Sequence, residues 1–195
     1  MPAPAPSNTL VYHSLYCLAN ELDTYLKTAF NLPPSDTIVV LSGHVSVDGS
    51  PITSIINKVS VTLVNLTPEA TLRNLQPNLS GGAPRLNPAL RLNLEVLFAA
   101  NFVAYEESLK FISSTLTFFQ GHAVFNAQNS PTLPLGINQL VVELEATSYQ
   151  QWSYLWGMLG TKAMPGVIYK VRMLAIQSGV VQASSPEVTG ASVSH

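Results

Sequence analysis

SYQQWSYLWGMLGTKAMPGVIYKVRMLAI, residues 148–176, is the stretch whose reading decides the fold. Ser148 can accept a backbone N–H at a helix start, so it reads as an N-cap. Trp152, Leu155, Trp156 and Leu159 then recur at i, i+3, i+4 and i+7, one face of a helix. Gly160 and Pro165 close that helix. The chain next alternates: Val167, Tyr169, Val171, Met173 and Ala175 share one face, and Lys170 and Arg172 stand on the other. A helix feeding a strand with one polar face implies a sheet with helices packed on it.

Working outward, Gln139–Thr147 alternates too, placing Leu140, Val142, Leu144 and Ala146 inward and Glu143 and Glu145 outward. Arg91–Phe98 repeats the pattern with Leu92, Leu94, Val96 and Phe98 inward. Between them, Tyr105–Gln120 is helical, with a stripe of Leu109, Ile112, Leu116 and Phe119 widened by Phe111 and Phe118. An apolar surface that broad predicts burial on more than one side. Ala123–Asn126 is a short strand. Upstream, Leu15, Leu18, Leu22 and Leu26 define a first helix over 9–30, with Asp23 and Lys27 paired on its other side and Pro33-Pro34 ending it. Thr37–Ser46 and Lys58–Thr67 read as strands, the second with Val59, Val61 and Leu63 on one face, separated by an Asp48-Gly49 turn. The order α-β-β-β-α-β-β-α-β predicts an α+β class: one domain with a mixed or mostly antiparallel sheet and about three helices. Residues 9–178 form that domain. Residues 1–8, rich in Pro and Ala, and the small polar tail 179–195 are expected to be disordered, and 68–90 to be a long loop or arm.

Composition bounds the function. Charged residues make up 10% of the 195, against roughly 25% in a typical soluble domain. So few charges defend a free surface poorly against association, which suits a subunit covered by neighbours. Net charge is −2, and the nine Lys and Arg are scattered, so neither nucleic acid nor an anionic membrane is an expected partner. Cys17 is the single cysteine, which excludes an internal disulfide. MPAPAPSNTL lacks the basic and apolar regions of a signal peptide, so cytoplasmic synthesis is expected. The charge-free run between Lys110 and Glu143 is too often broken by polar residues and Pro131 to span a bilayer, so no membrane insertion is expected.

Chemistry is sparse. Phosphate-loop, nucleophile-elbow and zinc-protease motifs are missing. Gly157–Lys162 carries glycines and a lysine at a helix C-terminus, the wrong end for an anion. His13, His44, His122 and His195 are dispersed, and His13 with Cys17 supplies two ligands at most. Glu106-Glu107 complement a helix N-terminus. Asn65-Leu66-Thr67 and Asn78-Leu79-Ser80 match glycosylation acceptors in a chain without a secretory signal. No catalytic residue, cofactor or metal site is expected, and the chain is not read as an enzyme.

Three segments carry a likeness: PALRLNLEVLFAANFVAYEESLKFI at 88–112, TFFQGHAVF at 117–125, and LVVELEATSYQQWSYLWGMLGTKAMPGVIYKVRML at 140–174. In their order and spacing the chain resembles the tail-cap, or tail-terminator, proteins of phage-tail-like contractile injection systems, over about 9–178. Gly166 departs from the serine more frequent there after the proline, which is expected to loosen that turn. The resemblance implies a structural subunit of a homo-oligomeric ring, six-fold, that closes the inner tube and contractile sheath and holds one to the other within the assembled particle. It implies no cofactor. The family-signature residues Trp152, Trp156, Tyr169 and Tyr105 are assigned to the core. Lys170, Arg172, Arg85, Arg91, Phe111 and Phe118 are the candidate contacts with neighbours. Two alternatives stay open: an adaptor elsewhere in the same particle, and a small-ligand-binding α+β domain with a pocket beside the tryptophans.

Overall fold

The computed structural model describes residues 9–69 and 91–175. The expected N-terminal segment, most of the 68–90 loop with Arg85, and the tail lie outside the described residues. The elements are α1 (Leu10–Ala29), β1 (Val39–Leu41), a 3-10 turn (Thr53–Ile55), β2 (Val59–Pro68), β3 (Arg91–Ala100), α2 (Tyr105–Gly121), β4 (Val124–Asn126), β5 (Ile137–Leu144), α3 (Tyr149–Met158) and β6 (Gly166–Ala175). Six strands form one sheet in the order β1-β2-β3-β6-β5-β4. Only β1–β2 is parallel. The fold is α+β with a mixed sheet, as the order of patterns predicts.

Both faces of the sheet are packed, by different helices. Leu15, Leu18, Leu22 and Leu26 of α1 and Phe111, Phe118 and Phe119 of α2 cover the inner face, against Leu94, Val96, Phe98, Leu140, Tyr169 and Val171. On the outer face Leu155 and Trp156 of α3 cover Leu97, Ala99 and Ile168, with Trp152 and Leu159 partly buried beside them. The alternation in β3 is therefore strict only over its first half. Past Glu95 both faces are dry, because α3 lies over the second half.

Asp23 fastens the first helix to the sheet. Its carboxylate accepts the N–H groups of Ile38 (2.8 Å) and Val39 (2.9 Å) and pairs with Lys27 at 2.6 Å. The chain beyond α1 is thereby delivered to β1. That strand spans three residues, shorter than the expected 37–46. After Leu41 the chain leaves the ladder: Ser42 donates back to Val61 O, and its carbonyl is taken by the Thr62 hydroxyl at 2.6 Å. In α3 the expected cap is a full capping box: Ser148 Oγ accepts Gln151 N–H (3.2 Å) and Gln151 Oε1 accepts Ser148 N–H (2.9 Å).

Several assignments need correction. Phe111 and Phe118, expected at a contact with neighbours, are buried in this chain's own core. Phe111 stacks against Phe30 and Phe102, each with ring centroids 4.2 Å apart, and Phe118 meets Tyr25 at 5.1 Å and Phe119 at 4.9 Å. The extra apolar girth of α2 is thus absorbed by the sheet, α1 and the β3–α2 connection. Tyr105, assigned to the core, is exposed as the first residue of α2. Leu109 and Leu144 are exposed as well, Leu144 because β5 there extends past its short neighbour β4. Gly166 does not loosen its turn. It opens β6 opposite Ala99, where a Cβ would stand 2.9 Å from the Phe98 carbonyl oxygen.

Candidate assembly interface

Strand pairing brings the polar residues of the outer face together. Glu95, Lys170 and Glu143 lie side by side across β3, β6 and β5, and Asn93, Arg172 and Val141 form the next row. Asn65 of β2 extends the first row, its amide reaching Glu95 Oε1 at 3.4 Å. These rows are the part of the outer face that lies beyond the Leu97–Ile168 patch under α3. They form a stripe of alternating sign rather than a basic patch.

Arg172 pairs with Glu143 across the strands. Its Nε–H is buried and makes no hydrogen bond among the described residues, and neither does Asn93 Oδ1, which belongs to its register partner. Among the described residues Lys170 forms no ion pair, although Glu95 and Glu143 flank it. Exposed pairs of this kind contribute little stability, of order 0–1 kcal/mol, and serve orientation and specificity better.

Of the sequence-predicted contacts, Lys170, Arg172 and half-buried Arg91 thus sit on one face of the sheet. Arg85 lies outside the described residues. Of the signature residues, Trp156 and Tyr169 are buried on opposite faces, Trp152 is partly buried against Trp156 with centroids 5.6 Å apart, and Tyr105 is at the surface. Burial pushes the Tyr169 phenol up to about 12, so it stays neutral.

Little here supports catalysis. The cleft beside Trp152 is shallow, about 300 Å³, with Leu144, Tyr149, Val167 and Ile168 among its walls and Glu145 and Thr147 as its polar side chains. Among the described residues no group of three or more His, Cys, Asp or Glu could hold a metal ion. Cys17 is buried, and burial raises its pKa, opposite to an activated thiol. Among the described residues no helix is long and apolar enough to cross a membrane.

Sequence reasoning missed a buried polar cluster at the sheet's end. Asn101 Nδ2 donates to Ser60 Oγ at 2.9 Å, which lies 3.1 Å from His44 Nε2. The His44 ring meets Trp156 edge-on at 5.5 Å. Desolvation lowers the His44 pKa and keeps the ring neutral. Each member is a lone polar residue in an apolar or loop context, which leaves no pattern to detect.

The outer sheet face is polar, with cations and carboxylates set in rows across three strands. Residues 16–190 match the family model of the Pvc16 N-terminal domain, and the chain belongs to that family. Solved structures share the fold, two of them over nine-tenths of this chain or more. One is the sheath/tube terminator of PVC, an extracellular contractile injection system, in its extended state: 13% identity, TM-score 0.56, covering 94% of this chain and 62% of that one. The other is the tube-terminating cap of the anti-feeding prophage: 10% identity, TM-score 0.51, covering 90% and 59%. The chain spans about three-fifths of the length of both structures. No curated protein matches the sequence. The resemblance carried by 88–112, 117–125 and 140–174 is borne out.

Proposed function

We propose that this chain is a cap subunit of a contractile injection system. It forms a closed ring, six-fold, that ends the inner tube and contractile sheath and holds them together. The observation that carries this reading is the family membership over 16–190, joined to a fold shared with two terminator caps. The sheet supports it: one face is sealed by α1 and α2, and the other presents Glu95, Lys170 and Glu143 in one row with Arg172 in the next. In this reading Lys170, Arg172 and Arg91 orient the neighbouring subunit, and Arg85 contributes from the 68–90 segment. The role is structural, without catalysis or cofactor, and the protein acts within the assembled particle.

The test is imaging of particles made with and without the protein. Without it, sheath and tube lengths should become variable and the distal end open. Particles of unchanged length with a closed end would overturn the cap assignment. The double variant Lys170→Gln/Arg172→Gln, which removes both cations without setting new carboxylates beside Glu95 and Glu143, should lower the melting temperature by no more than about 4 °C and lose ring formation or particle attachment. Wild-type rings and wild-type attachment in that variant would remove the sheet face from the interface.

A further inference from the structure

A strand at the rim of a sheet leaves one row of backbone N–H and C=O groups without a ladder, and proteins commonly blunt such rows. Side chains do so at both outer rims here. On β4, Asn129 Nδ2 donates to Val124 O at 2.7 Å and Asn129 Oδ1 accepts Asn126 N–H at 2.8 Å, so one amide stands where a strand would pair. On β1, the Asp23 carboxylate takes Val39 N–H at 2.9 Å. β2 is different. β1 pairs only with Val59–Val61, and after one more bond, Ser42 N–H to Val61 O at 3.2 Å, it leaves the ladder. Among the described residues, Leu63 to Pro68 of β2 therefore pair on one side only, with β3. Asn65 Oδ1 takes one donor of this stretch, Leu66 N–H at 2.9 Å. A bulge between Leu63 and Asn65 bends the row without covering it.

The open stretch also has an apolar flank. Leu63 stands beside Val96 and Leu66 beside Leu94, both partners fully buried on the inner face, yet Leu63 is 37% exposed and Leu66 42%. Neither leucine belongs to the core that α1 and α2 seal. A strand added along β2 would pair its backbone and cover both leucines, the mode by which sheet edges accept a peptide. The cleft at the opposite end of the sheet, about 460 Å³, is of another kind: no Asp, Glu, Lys or Arg lines it, and Val103 and Tyr105 stand exposed at its rim.

We propose that the open edge of β2 receives residues 180–185 of the neighbouring copy in the ring. The inference rests on the cap reading and adds a contact to it, apart from the charged stripe. VVQASS lies between Gly179 and Pro186 and matches the six residues from Leu63 to Pro68 in length. Successive strand residues point to opposite faces, so in any register one of Val180 and Val181 falls on the side of Leu63 and Leu66. The segment carries no charge that this apolar flank would desolvate. Reach selects the neighbour over the same copy. β6 ends at Ala175, at the same end of the sheet as Pro68, with β3 and β2 in between. A strand beyond β2 is three spacings from β6, about 14 Å at about 4.8 Å each. Residues 176–179 span roughly 13 Å when fully extended, and they would also have to reverse direction over the end of β3 and β2. A neighbour's edge set beside the end of β6 needs no such crossing. Donor and acceptor are different surfaces, so the contact is heterologous and can repeat around a closed ring.

The experiment measures the mass of the isolated full chain by light scattering and its amount on purified particles by immunoblot. Two full-length variants are compared. Leu63→Lys/Leu66→Lys places cations on the acceptor edge, and Val180→Pro/Val181→Pro removes two N–H donors from the entering strand. Each should weaken ring association about ten-fold or more, with unchanged circular dichroism and melting temperature. An equimolar mixture should give pairs, because the first variant keeps an intact donor and the second an intact edge. Wild-type rings in either variant, or a mixture that stays monomeric, would overturn the strand exchange while leaving the cap reading intact. A monomeric wild type destabilised by Val180→Pro/Val181→Pro would place the segment on its own copy's edge and overturn the exchange. A wild type that is monomeric alone yet bound to particles would make another subunit the source of the strand and overturn the proposed donor. A wild type absent from particles would remove the cap reading and this contact with it.

Discussion

Gly166→Ala adds one methyl group at a position with no room for it. The new Cβ would lie 2.9 Å from the Phe98 carbonyl oxygen, 3.3 Å from Leu97 Cδ1 and 3.4 Å from Ala99 Cα. The Leu97 methyl can rotate aside, but the Phe98 carbonyl cannot. It belongs to β3, which is paired along its length to β2 on one side and β6 on the other. Relief therefore requires β6 to separate from β3 at its first ladder position. Overpacking of this kind costs about 1–3 kcal/mol. Restricting the unfolded chain returns about 0.4–1 kcal/mol, so the net loss is at most about 2.6 kcal/mol and about 1–2 kcal/mol over the middle of the range. At about 2–4 °C per kcal/mol for a domain of this size, the melting temperature should fall by about 2–8 °C. Gly157→Ala is the internal control. A Cβ at Gly157, in exposed α3, meets nothing within 4 Å, so that change should stabilise by about 0.5–1 kcal/mol. Urea unfolding of both variants, followed by tryptophan fluorescence, reads the opposite signs directly. Gly166→Ala as stable as wild type would refute the close approach of β6 to Phe98.

Leu18→Ala removes a fully buried side chain of α1 from the inner core and should cost about 2–5 kcal/mol by the same measurement. Ser148→Ala breaks the capping box of α3 and should cost about 1 kcal/mol. His44 gives a pH signature. Its folded pKa is lowered from 6.5 by desolvation, so the unfolded chain binds the proton more readily. Its contribution is full above the unfolded pKa and is lost as pH falls from about 6.5 toward the lowered folded value, at up to about 1.4 kcal/mol per pH unit. His44→Gln should flatten the fall in stability below about pH 6.5, measured as urea midpoints against pH; an unchanged slope would place the acid sensitivity elsewhere.

The legible parts of the fold are those where one physical pattern decides. Leu15 through Leu26 repeat at helical spacing because a single face meets the sheet, and Ser148 sits where a helix must begin. The alternation from Arg91 to Glu95 was readable for the same reason. The pattern misleads where a residue's surroundings come from elsewhere in the chain. Phe111 looked surplus to α2 because Phe30 and Phe102, which enclose it, lie outside that helix. Trp156 and Tyr169 looked like one core, yet the sheet runs between them. Of the candidate site, Lys170 and Arg172 were visible as one strand face. The rows they complete, Lys170 with Glu95 and Glu143 and Arg172 with Asn93 and Val141, depend on the pairing of three strands, which no local window contains.

That row and the cleft at the sheet's end are two chemically unlike surfaces. Charged, register-dependent contacts such as Glu95–Lys170–Glu143 discriminate between orientations and add little net energy. A neutral cleft with an apolar rim does the reverse: it gains from burial whatever uncharged side chain enters, and selects mainly by shape. The charged rows stay open because α3 covers only the Leu97–Ile168 part of the outer face. The charged rows lie beyond that patch along β3, β5 and β6, while the cleft opens where Ala100 and Pro165 meet at the sheet's end. Lengthening or shifting α3 would bury the charged rows at the cost of desolvating them, so the short ten-residue helix itself is part of what keeps that face available.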